Sequence, residues 1–102
     1  MKRAETTARI EGEGIVAVIR LEQAAALPMV VEALAAGGVR AIEVTMTVPG
    51  AIESIRQLAA SGSNDLLLGA GTVLDRQTAQ RAIDAGARFV VSPALNIATI
   101  EA

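Results

Sequence analysis

The chain has 102 residues, 52% of them apolar, with nine basic and eleven acidic side chains and a net charge of −2. That is enough chain for one small domain with a core of its own, and too apolar for a disordered one. The absence of cysteine and histidine excludes a disulfide framework, a thiolate metal site and a Ser–His nucleophile pair, while the lack of a basic run and the single aromatic residue, Phe89, argue against nucleic acid as a partner.

Residues 1–14, MKRAETTARIEGEG, are charged and lack the apolar centre of a signal peptide. The longest weakly polar stretch, 23–39, contains Pro28 and Glu32 and is too short to span a bilayer, so no membrane partner and a cytoplasmic location are expected. The first strand is predicted over GIVAVI at 14–19, followed by Arg20. A helix is expected over 22–36, with Leu27, Val30, Val31 and Leu34 on one stripe, and Pro28 predicts a bent or loose first part. VRAIEVT at 39–45 reads as the second strand. Residues 49–61 read as a helix with Pro49 in its first turn and Ile52, Ile55, Leu58 and Ala59 inward. LLLGAG at 66–71 is the third strand; residues 75–85 form a helix capped by Asp75, with Ala79, Ala82 and Ile83 inward; ARFVVSP at 87–93 contains the fourth strand. Gly37 and Gly86 are expected in the left-handed position that ends a helix.

The regular alternation gives βα units of roughly 20 to 27 residues, hence right-handed crossovers and a parallel α/β sheet. Periodicity leaves two architectures open, an open doubly wound sheet and part of a (β/α)8 barrel, whose typical length is ~250 residues. Helices on one face and strand order 1-2-3-4 are the marks of the second.

Three places carry candidate chemistry. Gly69-Ala70-Gly71 imitates the start of a dinucleotide fingerprint, but the third glycine position is Leu74 and no Gly-Lys-Ser/Thr follows. Its plainer reading is a strand ending in small residues. Its functional reading is a backbone cradle, with Gly71 admitting a ligand and Thr72 offering an N–H and a hydroxyl to a small anion. Glu43 interrupts an apolar strand; alternation places Ala41, Glu43 and Thr45 on one face and Ile42 and Val44 on the other. A buried carboxylate needs a partner or a purpose, and a structural ion pair with Arg20 is the plainer alternative to a catalytic role. Arg20 itself can clamp an anion or lie solvated in a loop, and Ser92-Pro93 ends the fourth strand. Arg40 and Arg88 begin strands on the opposite rim and read as surface or stability residues.

GIVAVIR, ALAAGGVRAIEVTMTVPGAIESI, LLLGAGTVLD and AIDAGARFVVSPALN, in this order, resemble the 2-keto-3-deoxy-6-phosphogluconate (KDPG) and 4-hydroxy-2-oxoglutarate (KHG) aldolases, from about residue 14 onward. The resemblance implies the first four βα units of a TIM (β/α)8 barrel, a half-barrel forming one partial domain over 1–102, and a class I aldolase that needs neither metal nor cofactor. It implies a 2-keto acid substrate cleaved to pyruvate and an aldehyde, and a homotrimer. It assigns proton transfer to Glu43, carboxylate binding to Gly71 and Thr72, and places in the site to Arg20 and Ser92-Pro93. Where some members carry a carboxylate-binding arginine, this chain has Thr47, a variant that also occurs in the family and that stands among the substrate-binding positions. The family's Schiff-base lysine has no counterpart here, since the only lysine is Lys2. The chain is therefore expected to be truncated before the second half and inactive by itself. A non-catalytic half-barrel that pairs with itself or another half, and an open anion-binding α/β domain, are the alternative readings.

Overall fold

The computed structural model describes residues 2–61 and 65–102. In chain order the elements are α1 (Arg3–Glu13), β1 (Ala17–Ile19), a 3-10 turn (Ala24–Ala26), α2 (Leu27–Ala36), β2 (Ala41–Thr45), α3 (Ala51–Ala60), β3 (Leu67–Gly71), α4 (Arg76–Ala85), β4 (Phe89–Val91) and α5 (Ile97–Glu101). The four strands form one parallel sheet in the order β1-β2-β3-β4. Sequential order with every connection a helical crossover keeps all four strand C-termini on one rim.

Register fixes which side chains share a face. Val18, Glu43, Gly69 and Phe89 lie across from one another, as do Ile19, Val44 and Ala70, with Val90 beside Ala70. The second set packs with Leu27, Val31, Ile55, Leu58, Ala79 and Ala82 from α2, α3 and α4 into a single core. These three helices therefore cover one face, as expected for barrel units; on the other, Val18 at the edge is 58% exposed while Ala41, Glu43, Thr45 and Leu67 of the two central strands are buried. Val90 belongs to the helix face; the strand pleat, with Phe89 and Val91 on the other side, decides this. Ile83 was expected inward and is exposed, because Ala79, Ala82 and Ala85 define the buried stripe of α4. Ala59 is exposed in the same way at the margin of α3.

Several boundaries move for local reasons. The helix expected over 22–36 begins at Leu27, with Pro28 in its first turn and a 3-10 turn ahead of it. Pro28 lacks a donor where none is needed, so it starts the helix and does not bend it. Pro49 lies outside α3, whose N-cap is Gly50. At the end of α2, Gly37 is right-handed (φ −83°), and Gly38 takes the left-handed turn (φ +96°). Gly86 adopts positive φ as expected. The polar lead-in is a helix: α1 ends on left-handed Gly14, buries Thr6, and donates from Arg9 Nη2 to the Asp65 carbonyl at 2.8 Å, just before β3. It stands near the N-terminal ends of β3 and β4, across a cleft of about 600 Å³ from Arg88 and Phe89.

Candidate active site at the C-terminal rim

Glu43 sits in the middle of β2 with all five strand residues buried, and is itself 8% exposed. Its side chain lies on the face away from the helices and reaches sideways across the sheet to Gly71 on β3. A Cβ built on Gly71 would collide with Glu43 Oε1. A Cβ on Gly69 would collide with the Phe89 ring from β4. The two glycines that imitate a nucleotide fingerprint therefore admit side chains of the neighbouring strands, a carboxylate and an aromatic ring.

The alternative of a Glu43–Arg20 ion pair is not formed. Among the described residues the ion pair is Glu53–Arg56, exposed on α3, and the Glu43 carboxylate has neither an ion-pair nor a hydrogen-bond partner. Arg20 follows β1 directly and is exposed at the rim. A carboxylate so placed, shielded by strands yet unclaimed by a cation, is available to accept and return a proton.

Thr72 follows Gly71 across a cis peptide bond and is exposed, while the next residue, Val73, is anchored by its N–H to the Val91 carbonyl at 2.9 Å. Thr45 closes β2 opposite Gly71 and is almost fully buried; its hydroxyl bonds the Ile19 carbonyl at 3.0 Å and meets the hydroxyl of exposed Thr47 at 3.0 Å. Ser92 and Pro93 follow β4, and the Ser92 hydroxyl is engaged locally with Ala94, donating to its carbonyl at 3.0 Å. Topology thus brings Arg20, Thr47, Thr72 and Ser92-Pro93 to the strand C-terminal end, and direct contact joins Glu43 to Gly71. Arg20 and Ser92 make no contact with that pair in the hydrogen-bond and ion-pair network of the described residues. Sequence reasoning missed Thr45; its place on the Glu43 face two residues along was the available signal. Among the described residues there is no cluster of acidic side chains able to hold a metal, and no helix long and apolar enough to cross a membrane.

The family model described as KDPG and KHG aldolase matches residues 6–102. The 2-dehydro-3-deoxy-phosphogluconate aldolase of Treponema pallidum (strain Nichols) is 43% identical over 90 residues, covering 85% of this chain and 41% of that protein. The KHG/KDPG aldolase of Escherichia coli (strain K12) is 42% identical over 81 residues, covering 79% of this chain and 36% of the relative. The crystal structure of KDPG aldolase from Legionella pneumophila, with pyruvate captured as a covalent carbinolamine intermediate, superposes with a TM-score of 0.73 at 36% identity, over 85% of this chain and 44% of the other. The chain thus spans about two fifths of the length of the curated relatives it matches. The solved neighbours are TIM barrels, and the four βα units seen here correspond to part of one.

Proposed function

We propose that this chain, which belongs to the KDPG and KHG aldolase family, carries the proton-transfer and carboxylate-binding portion of a class I aldolase site. The reaction is cleavage of 2-keto-3-deoxy-6-phosphogluconate or 4-hydroxy-2-oxoglutarate to pyruvate and an aldehyde. The observation that carries this reading is the buried Glu43 carboxylate lying over Gly71, without a cationic partner among the described residues, one residue from the exposed Thr72.

The chemistry fits these groups. A protonated imine between an enzyme amine and the substrate ketone withdraws the electron pair of the breaking carbon–carbon bond. The substrate hydroxyl at that bond must lose a proton as the aldehyde forms, and the resulting enamine must gain one. A single carboxylate beside the ketone serves both transfers, taking the first proton and delivering it to carbon. The Thr72 N–H and hydroxyl suit the substrate carboxylate, which needs donors held by the backbone and not another negative charge. Arg20 and Ser92-Pro93 line the same rim, and Arg20 is available to a second anionic group of the substrate. The imine-forming amine is not Lys2, which caps α1. In keeping with the family resemblance we assign the whole enzyme to carbohydrate metabolism in the cytoplasm, as a homotrimer that uses no metal or cofactor.

Titration of the chain with pyruvate, followed by amide NMR, tests the reading. Shifts concentrated at Glu43, Gly71 and Thr72 are expected, weakened by Thr72→Val. Shifts confined to other parts of the chain, or none, would overturn it. A second reading, a self-associating half-barrel without catalysis, is favoured by the unpaired outer edges of β1 and β4.

A further inference from the structure

We infer that Phe89 is a positioning residue for Glu43: its ring fills the seat over Gly69, directly across from Glu43, and so sends the carboxylate forward to Gly71 and the strand C-terminal rim. The inference rests on the reading of Glu43 as the proton-transfer residue and adds to it the side chain that aims it.

Register sets three residues in a row. Glu43 of β2 pairs with Gly69 of β3, and Gly69 pairs with Phe89 of β4. On the face away from the helices β3 presents Leu67, Gly69 and Gly71, so beyond Leu67 it offers backbone alone, a trough between β2 and β4. Two side chains enter that trough from opposite sides. Atoms Cδ2, Cε2 and Cζ of the Phe89 ring crowd the position a Gly69 Cβ would take, and Glu43 Oε1 crowds the position a Gly71 Cβ would take. The Cβ of Val91, next on the same face of β4, is 3.1 Å from that second position and borders the carboxylate on its far side.

Glu43 is level with Gly69, yet its carboxylate stands over Gly71. A side chain reaching straight across the sheet would end over Gly69, and the ring already holds that volume. Two groups cannot share it, because folded interiors are packed as closely as organic crystals. Forward along β3 the trough is open, since Gly71 puts no side chain into it. The two seats are one pleat repeat apart, about 6–7 Å along a parallel strand. That distance separates a carboxylate at mid-strand from one beside Thr72 at the rim. Phe89 is half-buried on an edge strand and stands outside the core that α2, α3 and α4 build, so its ring serves the other face of the sheet.

NMR of the full chain reads the placement directly. In the unmodified protein, nuclear Overhauser effects are expected from the Phe89 ring to the Gly69 α protons and from the Glu43 γ protons to the Gly71 α protons. The absence of either in a folded spectrum overturns the inference before any variant is made. Phe89→Val keeps a strand-forming residue that is too short to cover Gly69, and Phe89→Ile serves the same purpose should the valine variant not fold. In either, the Glu43 contact should be lost at Gly71 and appear at Gly69. Adding Gly69→Ala to that variant puts a methyl group in the vacated seat and should return the contact to Gly71, a rescue that a general loosening of the sheet would not show. A contact that stays on Gly71 without the ring, or that Gly69→Ala does not restore, overturns the role of Phe89. Titration with pyruvate separates this from the underlying reading. Without the ring, pyruvate should still shift the Thr72 amide while the Glu43 γ resonances lose their response. If pyruvate shifts neither Glu43 nor Thr72 in the unmodified chain, the reading of the site fails and the purpose assigned to Phe89 with it; if it shifts both equally with and without the ring, only the role of Phe89 falls.

Discussion

At Gly69 and Gly71 the missing side chain is a structural requirement set by the neighbouring strands. The Phe89 ring occupies the space above Gly69, so Gly69→Ala is expected to cost about 1–3 kcal/mol, the usual penalty of overpacking. Phe89→Leu should relieve most of it, and a double-mutant cycle in urea measures the coupling; additive effects would mean that the ring does not need that space. Glu43 raises the opposite expectation. Its buried carboxylate lacks a cationic partner among the described residues, so Glu43→Gln should leave the chain as stable or more stable by about 1 kcal/mol at neutral pH. A marked loss of stability would identify Glu43 as a partner in a structural pair. The period-two pattern of β2 was enough to place Glu43 on the face away from the helices. The collision partners of the glycines were not legible, because they come from strands 20 to 30 residues away and depend on register.

Helix termini were legible where a side chain does the capping, and less so where the backbone does it. Asp75 accepts from the Thr78 N–H at 2.6 Å, as its position ahead of an amphipathic run predicts. That bond, from the Thr78 backbone first, holds the Asp75 carboxyl below its ordinary value of 3.8. Because the folded value is the lower one, the contribution is present above the ordinary value and lost as pH falls through the lowered one. Asp75→Ala should therefore lower the thermal midpoint at neutral pH and flatten its decline in acid, while Asp75→Asn should keep most of the cap. Midpoints measured between pH 2 and 7 check both. Gly37 and Gly38 are adjacent and equally able to turn left-handed, so sequence alone could not choose; the structure gives the turn to Gly38. Helix α1 escaped notice because its stripe is weak: only Thr6 is buried, and its tie to the sheet runs through Arg9 and a backbone carbonyl.

At the scale of the molecule, the parallel sheet has two unpaired edges among the described residues, and a face that α2, α3 and α4 leave uncovered and that is exposed at its edge strands. Unpaired strand edges and exposed apolar groups such as Val18 and Val91 drive association, and each valine fully buried contributes about 1.5–3 kcal/mol. The chain by itself is expected to self-associate at micromolar concentration, and light scattering that reports a cooperative monomer would contradict this. It is also expected to form no pyruvate imine at the rim. Lys2 caps α1, which reaches β3 by its N-terminal approach at Asp65, and a five-residue parallel strand spans about 16 Å to the other rim. Borohydride reduction with pyruvate followed by mass mapping checks it; a stable adduct on Lys2 with turnover would refute it. The packing of Phe89 on Gly69 offers one more handle. Phe89 is the chain's single aromatic residue and belongs to an edge strand, on the face away from the helices. Biosynthetic fluorophenylalanine would therefore place one fluorine-19 nucleus in the whole polypeptide, over a glycine at an open sheet edge. Each state of that edge, free, paired with another copy or unfolded, would then report as its own resonance, in a protein that tryptophan and tyrosine fluorescence cannot see.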